Sequence, residues 1–201
     1  MDNCIFCDVD ISKYYNTIIE ETNNFIVIPT IGSLVDGYIL IVTKEHFYNM
    51  LNLDENIKLE YLSLINKYRL RFKNVYKKYP IVFEHGTNNL ENTVSSIIHA
   101  HTHIVNHKFS DEKTIIEELK FKEFDFLNDN LQNNYIMYIS NDNNYYISTS
   151  FNNRSQLMRY YIAKDLNMIN KYDWNKYIFS ENITTTIQKI KTIDWLNNHY
   201  Q

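Results

Sequence analysis

The chain has 201 residues, a length that suits one compact domain or a domain with a packed extension. Its 20 basic and 24 acidic residues give a formal net charge of -4. That balance gives no strong case for nucleic-acid binding, which usually depends on a basic surplus. The N-terminus lacks the basic and apolar regions of a signal peptide, and no apolar run approaches the ~20 residues that cross a membrane. We therefore expect a cytoplasmic protein with no membrane partner.

Hydrophobic periodicity predicts the secondary structure. Strand patterns cover six segments, taken in chain order: 25–28, 38–42, 81–84, 97–105, 135–139 and 145–147. Helical patterns cover about 54–79 with Asp54 as N-cap, 115–121, a segment from 154, and about 182–197. Strands, a helix, more strands and then helices predict an α+β protein with an antiparallel sheet.

Three histidines stand at alternate positions, His99, His101 and His103, in a chain that has only seven. Side chains alternate faces along a strand, so a strand here would place all three on one face. Imidazole titrates near neutrality and has two distinct nitrogens, so one ring can attack phosphorus while its neighbours bind phosphate or move protons. A His-x-His pair on a strand is also a common metal-ligand arrangement, and spacing alone leaves both interpretations open.

The two cysteines, Cys4 and Cys7, have the Cys-x-x-Cys spacing of half a metal site. With His46 and His99 they form a set of two thiolates and two imidazoles, which zinc favours in closed tetrahedral sites. The alternative is a free, partly buried cysteine pair, with His46 simply ending a strand.

Four motifs, in this order along the chain, resemble those of the histidine triad (HIT) family. Cys4-Ile5-Phe6-Cys7 resembles the N-terminal Cys-x-Phe-Cys of many members, and residues 37–46 resemble the strand that runs into Pro-Lys-x-His. Glu84-His85-Gly86 resembles a motif of one branch of the superfamily. His99 to Val105 matches the signature His-φ-His-φ-His-φ-φ, in which φ is apolar. The resemblance covers about 4–105.

The fold implied by the resemblance is a HIT-like domain over 1–108, with a five-stranded antiparallel sheet and a long helix. A C-terminal mixed or helical extension over 109–201 would pack on this domain without being independent. In zinc-containing relatives the positions of Cys4, Cys7 and the two histidines supply the ligands of a structural zinc ion. Many relatives dimerise, which leaves a homodimer open.

The resemblance also implies roles for individual residues. His101, the middle histidine, would be the nucleophile and form a covalent nucleotidyl-histidine that water resolves. His99 and His103 would complete the catalytic set, and His103 would contact the phosphate or assist proton transfer. Ser96 and Arg159 are predicted to bind substrate. The alternatives are that Ser96 bonds to backbone and that Arg159 is a solvated helix arginine.

The implied activity is hydrolysis at the α-phosphate of dinucleoside polyphosphates, nucleoside phosphoramidates or related nucleotidyl conjugates. Three interpretations stay open: a nucleotidyltransferase or phosphorylase, a non-catalytic nucleotide- or RNA-binding module, and a zinc-stabilised scaffold. Thr30 falls near the position where many members have an acidic residue that binds the ribose hydroxyls. This chain therefore has no residue predicted to recognise the ribose. We expect His85 to be structural, Trp174 to be a core anchor, and His107 and His199 to be exposed.

Overall fold

The computed structural model describes residues 4–88, 90, 97–127, 129, 131–151 and 154–199, with backbone only from 193 onward. Within these ranges eight strands are formed: β1 (Glu20–Glu21), β2 (Phe25–Pro29), β3 (Tyr38–Thr43), β4 (Ile81–Gly86), β5 (His101–Val105), β6 (Lys122–Glu123), β7 (Tyr135–Ile139) and β8 (Tyr145–Ser148). The α-helices are α1 (Glu55–Tyr76), α2 (Glu112–Glu118), α3 (Leu157–Asp165) and α4 (Ser180–His199). Short 3-10 helices lie at Tyr14–Asn16 and Ile169–Lys171.

All eight strands belong to one antiparallel sheet in the order β1-β2-β3-β5-β4-β7-β8-β6. The predicted α+β class with an antiparallel sheet is confirmed, but the sheet has eight strands rather than five. The additional width on one side comes from β7, β8 and β6, which follow residue 108. Strand β7 pairs along β4 from Val82↔Ile139 to Gly86↔Tyr135, so β4 is interior and the C-terminal half of the chain continues the sheet.

Both faces of the central strands are buried, which explains why they are continuous apolar runs instead of alternating ones. Ile39 and Ile41 of β3 pack into a core on the side of α1, whereas Tyr38, Leu40 and Val42 pack into a second core on the other side. Helix α1 covers the first side with a stripe of buried residues, Tyr61, Leu64, Ile65, Tyr68 and Phe72. Residues of α3 pack into the second core, Leu157, Met158, Ile162 and Ala163.

Two local expectations differ from the structure. Strand β5 begins at His101 instead of residue 97, because the backbone of Ala100 pairs with Phe47 and Thr43 at N–O distances of 2.7 and 3.2 Å. His107 is buried and not exposed as expected, since its Nε2 lies 3.0 Å from a carboxylate oxygen of Asp165 at the end of α3.

The side chain of His199 lies outside the described part of the chain. Over the residues that are described, none of the helices has both the length and the apolar character needed to span a bilayer.

Candidate functional site

The histidine-rich strand β5 lies in the centre of the sheet, between β3 and β4. The rings of His101 and His103 have centroids 5.0 Å apart, so both project from the same face. His103 stacks on Phe83 at a centroid distance of 4.4 Å, and the Tyr38 hydroxyl lies 2.9 Å from its Nδ1. Thr102 projects from the opposite face towards α1. Neighbouring strands therefore hold the two imidazoles in fixed orientations.

His101 has one ring nitrogen anchored and one available. Its Nδ1 lies 2.6 Å from the carbonyl oxygen of His99. A carbonyl can only accept, so Nδ1 carries the hydrogen and Nε2 carries the lone pair. Burial lowers the pKa of His101 to about 4 against the opposing hydrogen bond, and the nearby His99 contributes to the decrease. The neutral tautomer with a free Nε2 is the form that a nucleophilic imidazole requires.

Both histidines line a cavity of about 330 Å³, a size typical of small-molecule sites. Strands β3, β4 and β5 contribute one part of its lining. The rest comes from an N-terminal arm over residues 5–16, from β2 with the residues that follow it, and from the region of α3. Much of the lining is apolar and includes Ile5, Phe6, Ile28, Pro29, Leu40 and Met158. The polar lining includes His101, His103, His85 and Arg159, so the cavity combines an apolar surface with three imidazoles and one guanidinium cation.

Arg159 is only 3% exposed and lines this cavity. Its Nε donates to the carbonyl oxygen of Tyr172 at 3.0 Å and its Nη2 to that of Gly32 at 2.7 Å. Its Cζ lies 5.5 Å from the centre of the Tyr38 ring. The alternative interpretation of a solvated arginine is therefore wrong for Arg159. Arg154, which precedes α3, is the exposed arginine of this segment.

Ser96, the other predicted substrate-binding residue, lies outside the described residues. Trp174, expected to be a core anchor, is only half-buried and lines the cavity.

The Glu-His-Gly segment of β4 divides its side chains between the two faces of the sheet. On the α1 side, the carboxylate of Glu84 accepts from the Tyr135 hydroxyl at 2.8 Å and from the Met50 N–H at 2.7 Å. A Cβ on Gly86 would lie 2.0 Å from the ring of Tyr135, so glycine leaves room for that ring. His85, between them, faces the cavity instead. Alternation along a strand is the signal that would have assigned His85 to the site.

The four predicted metal ligands are brought together at the edge of this cavity. The Sγ of Cys4 lies 3.3 Å from Nδ1 of His99, and the Sγ of Cys7 lies 3.0 Å from Nδ1 of His46. All four potential ligand atoms lie within 4.8 Å of one another. Nε2 of His99 donates to the carbonyl oxygen of Thr43 at 2.8 Å, which directs the Nδ1 lone pair into the cluster. An outer hydrogen bond of this kind is usual for metal-bound histidine, so these residues fit a metal ion.

Phe6 connects the four-residue cluster to the cavity. It stands in the loop between Cys4 and Cys7, and its ring packs against His99 and His101 at centroid distances of 5.7 and 5.1 Å. Phe6 is 8% exposed. The loop that carries both thiols therefore forms the wall of the cavity next to His101.

Comparison with known proteins gives the family. Residues 1–122 match the family model described as "Protein similar to CwfJ C-terminal", which covers more than half of the chain. The chain belongs to this family. No curated protein matches this CwfJ C-terminal-like chain.

Several solved structures are similar to this family member. One is a HIT family protein from Bacillus anthracis, with 22% identity and a TM-score of 0.43 over 52% of this chain and 72% of that one. Another is a hypothetical histidine triad nucleotide-binding protein from Sulfolobus tokodaii, with 16% identity and a TM-score of 0.46 over 98% of this chain and 99% of that one. A third, a HIT-like protein involved in cell-cycle regulation from Bartonella henselae, has 19% identity and a TM-score of 0.38. The matched region covers 44% of this chain and 63% of that one.

In this CwfJ C-terminal-like chain the predicted site residues form two adjoining groups. His101, His103 and Arg159 belong to the polar lining of the cavity, whereas His99 belongs to the cluster with the cysteines. Their roles in binding and catalysis remain predictions.

Proposed function

We propose that this protein is a nucleotide hydrolase that acts at the α-phosphate of dinucleoside polyphosphates, nucleoside phosphoramidates or related conjugates. The observation that carries the proposal is the anchored His101 ring, which lines the cavity with Nδ1 bonded to the His99 carbonyl and Nε2 free. Because the hydrogen bond fixes the ring, Nε2 needs no reorganisation before it attacks a phosphorus atom in the cavity.

The proposed reaction has two steps. Nε2 of His101 forms a bond to the α-phosphorus while the bond from phosphorus to the leaving group breaks, and the leaving group departs with the electron pair and takes up a proton. Water then attacks the same phosphorus, the P–N bond breaks and His101 regains its lone pair. His103 would contact the phosphate or move a proton, and the contact of its Nδ1 with the Tyr38 hydroxyl supports this role. Two displacements through a covalent intermediate replace one difficult step.

Covalent trapping tests the proposal. Brief incubation with an adenosine phosphoramidate should give a nucleotidyl adduct on His101, detected by mass spectrometry of the quenched protein. His101→Asn should lose the adduct and reduce turnover by at least about 1000-fold, because the amide cannot act as the nucleophile. His107→Asn, which removes a buried histidine outside the cavity, is the matched control and should keep activity. Turnover by the His101→Asn variant equal to that of the wild type would contradict the assignment.

Two other outcomes point to different functions. A product that changes when inorganic phosphate is added would make the protein a nucleotidyltransferase or phosphorylase. Nucleotide binding without adduct or product would favour the non-catalytic nucleotide- or RNA-binding module.

We also propose that the cluster of Cys4, Cys7, His46 and His99 holds a structural zinc ion. Two thiolates and two imidazoles fill a tetrahedral zinc shell, which leaves no open position for catalysis. The ion would fasten the N-terminal arm to the sheet and fix the orientation of His99, whose carbonyl anchors His101.

Metal analysis of freshly purified protein tests the zinc proposal. We expect one zinc ion per chain, lost in Cys4→Ser, and cobalt substitution should give a thiolate-to-metal absorption band. Metal-free protein that stays folded and active would refute a structural zinc site.

A further inference from the structure

We propose that Arg159 and His85 form a second anion subsite next to His101 and His103, which selects nucleotides that carry a phosphate beyond the α-phosphate. The inference rests on the proposed function for the place of the α-phosphate at His101. It would make nucleoside polyphosphates and dinucleoside polyphosphates preferred substrates over phosphoramidates, whose leaving group is an amine without a second phosphate.

Arg159 brings a buried positive charge that the protein leaves partly unsatisfied. Its Nε and Nη2 bond to the carbonyls of Tyr172 and Gly32, which fix the plane of the guanidinium. Its Nη1 is buried and has no hydrogen-bond partner among the described residues. Nor does any carboxylate of the described residues form an ion pair with it. A buried charge is costly without a partner, and a guanidinium edge that faces a cavity matches a phosphate oxygen.

His85 provides a second polar atom with no partner. It lies on β4, next to β5, and lines the same cavity. Its Nε2 is buried and bonds to nothing in the part of the chain that the structure describes. Burial and the neighbouring His101 lower the pKa of His85 to about 4, so the ring is neutral and can donate one N–H. An unsatisfied polar atom in a cavity is explained when a ligand supplies its hydrogen-bond partner, here an acceptor for the tautomer that carries the hydrogen on Nε2.

The two groups surround one part of the cavity together with the triad histidines. Tyr38 contacts both Arg159 and His103, since its ring lies 5.5 Å from Cζ of Arg159 and its hydroxyl lies 2.9 Å from Nδ1 of His103. His85 follows Glu84 on β4, and Glu84 pairs with Thr102, the residue between His101 and His103. Arg159 supplies the positive charge and the imidazoles supply polar atoms, a combination that suits a phosphate beyond the one at His101.

Two acidic residues, Asp8 and Asp10, also line the cavity, but both are exposed on the N-terminal arm. The Asp10 carboxylate is already bonded to the N–H and hydroxyl of Ser12 at 3.0 and 2.5 Å. The buried lining therefore keeps the positive charge of Arg159.

Equilibrium binding of AMP and ADP tests the subsite, with GMP and GDP as a second pair in case the base matters. The measured quantity is the ratio of the two dissociation constants, which isolates the additional phosphate from base and ribose contacts. Wild-type protein should bind the diphosphate more tightly. Arg159→Met and His85→Leu should each reduce that preference at least about tenfold, the effect of one charge-assisted or buried hydrogen bond. Arg154→Met, which removes an exposed arginine before the same helix, should leave the ratio unchanged.

Arg159→Met can unfold the protein, because Arg159 also holds two backbone carbonyls. Thermal unfolding of each variant detects this, and His85→Leu then decides the result alone. A folded His85→Leu variant with the wild-type ratio overturns the subsite. The failure of the proposed function has a different signature, since wild-type protein would form no adduct on His101 even if it preferred the diphosphate.

Discussion

Replacing Glu84 with Gln should remove part of the pH dependence of the protein's stability. Glu84 is fully buried and accepts hydrogen bonds from Tyr135 and Met50. Burial raises its pKa from 4.5 to about 8, against the opposing effect of those two bonds. The carboxyl group is therefore neutral in the folded protein at neutral pH, and Gln is a neutral replacement of nearly the same shape.

The sign follows from the proton balance. Between pH 4.5 and about 8 the folded chain keeps the Glu84 proton, whereas the unfolded chain has lost it. The folded state binds more protons in this window, so the free energy of unfolding falls as pH rises. At about 1.4 kcal/mol per pH unit, this one group should remove on the order of 3 kcal/mol between about pH 5 and about pH 7.5. The Gln variant should lack this loss.

Urea unfolding followed by intrinsic fluorescence at these two pH values measures the effect. Buried histidines also titrate, with the opposite sign, but they are shared by both proteins and cancel in the difference between wild type and variant. Glu60→Gln is the matched control, because hydrogen bonds with Thr22 and Asn24 outweigh burial and lower the pKa of Glu60. The difference in unfolding free energy between wild type and this variant should therefore stay constant between the two pH values. If the difference in unfolding free energy between wild type and Glu84→Gln were also constant, Glu84 would be ionised in the folded protein over this range.

Two further substitutions test the packing around the site, both by urea unfolding. Gly86→Ala should destabilise the protein by about 1–3 kcal/mol or more, because the new Cβ would lie 2.0 Å from the Tyr135 ring; wild-type stability would show that the ring moves freely. Thr186→Val should cost about 1–3 kcal/mol, because the Thr186 hydroxyl accepts from the Gly37 N–H at 2.8 Å in a buried contact. Unchanged stability there would mean that water replaces the hydroxyl.

Local patterns predicted the elements whose formation depends on nearby residues. The helix expected at about 54–79 is observed as α1, Glu55–Tyr76, because its apolar residues repeat at helical spacing. The strand expected at 38–42 is observed as Tyr38–Thr43. The predicted ligand set of Cys4, Cys7 and two histidines is brought together in the structure. Donor chemistry and the family resemblance had indicated it without knowledge of the fold.

Features that depend on distant pairing could not be derived in this way. The width of the sheet depends on β7 pairing with β4, and no residue pattern in either strand specifies its partner. The burial of Arg159 depends on the carbonyl of Gly32, 127 positions away. His107 was expected at the surface because nothing near it in the sequence identifies Asp165 as its partner. The cavity itself forms only where the N-terminal arm and α3 converge.

The position of Phe6 between two thiols has a practical consequence for chemical labelling. Cys7 is exposed and Cys4 is partly so, and an alkylating reagent on either would remove a proposed zinc ligand next to the aromatic ring that packs on His101. A maleimide fluorophore at Cys7 would accordingly compete with the proposed zinc ion. Slower labelling of the thiols after zinc is added would report metal occupancy in protein that has not been mutated.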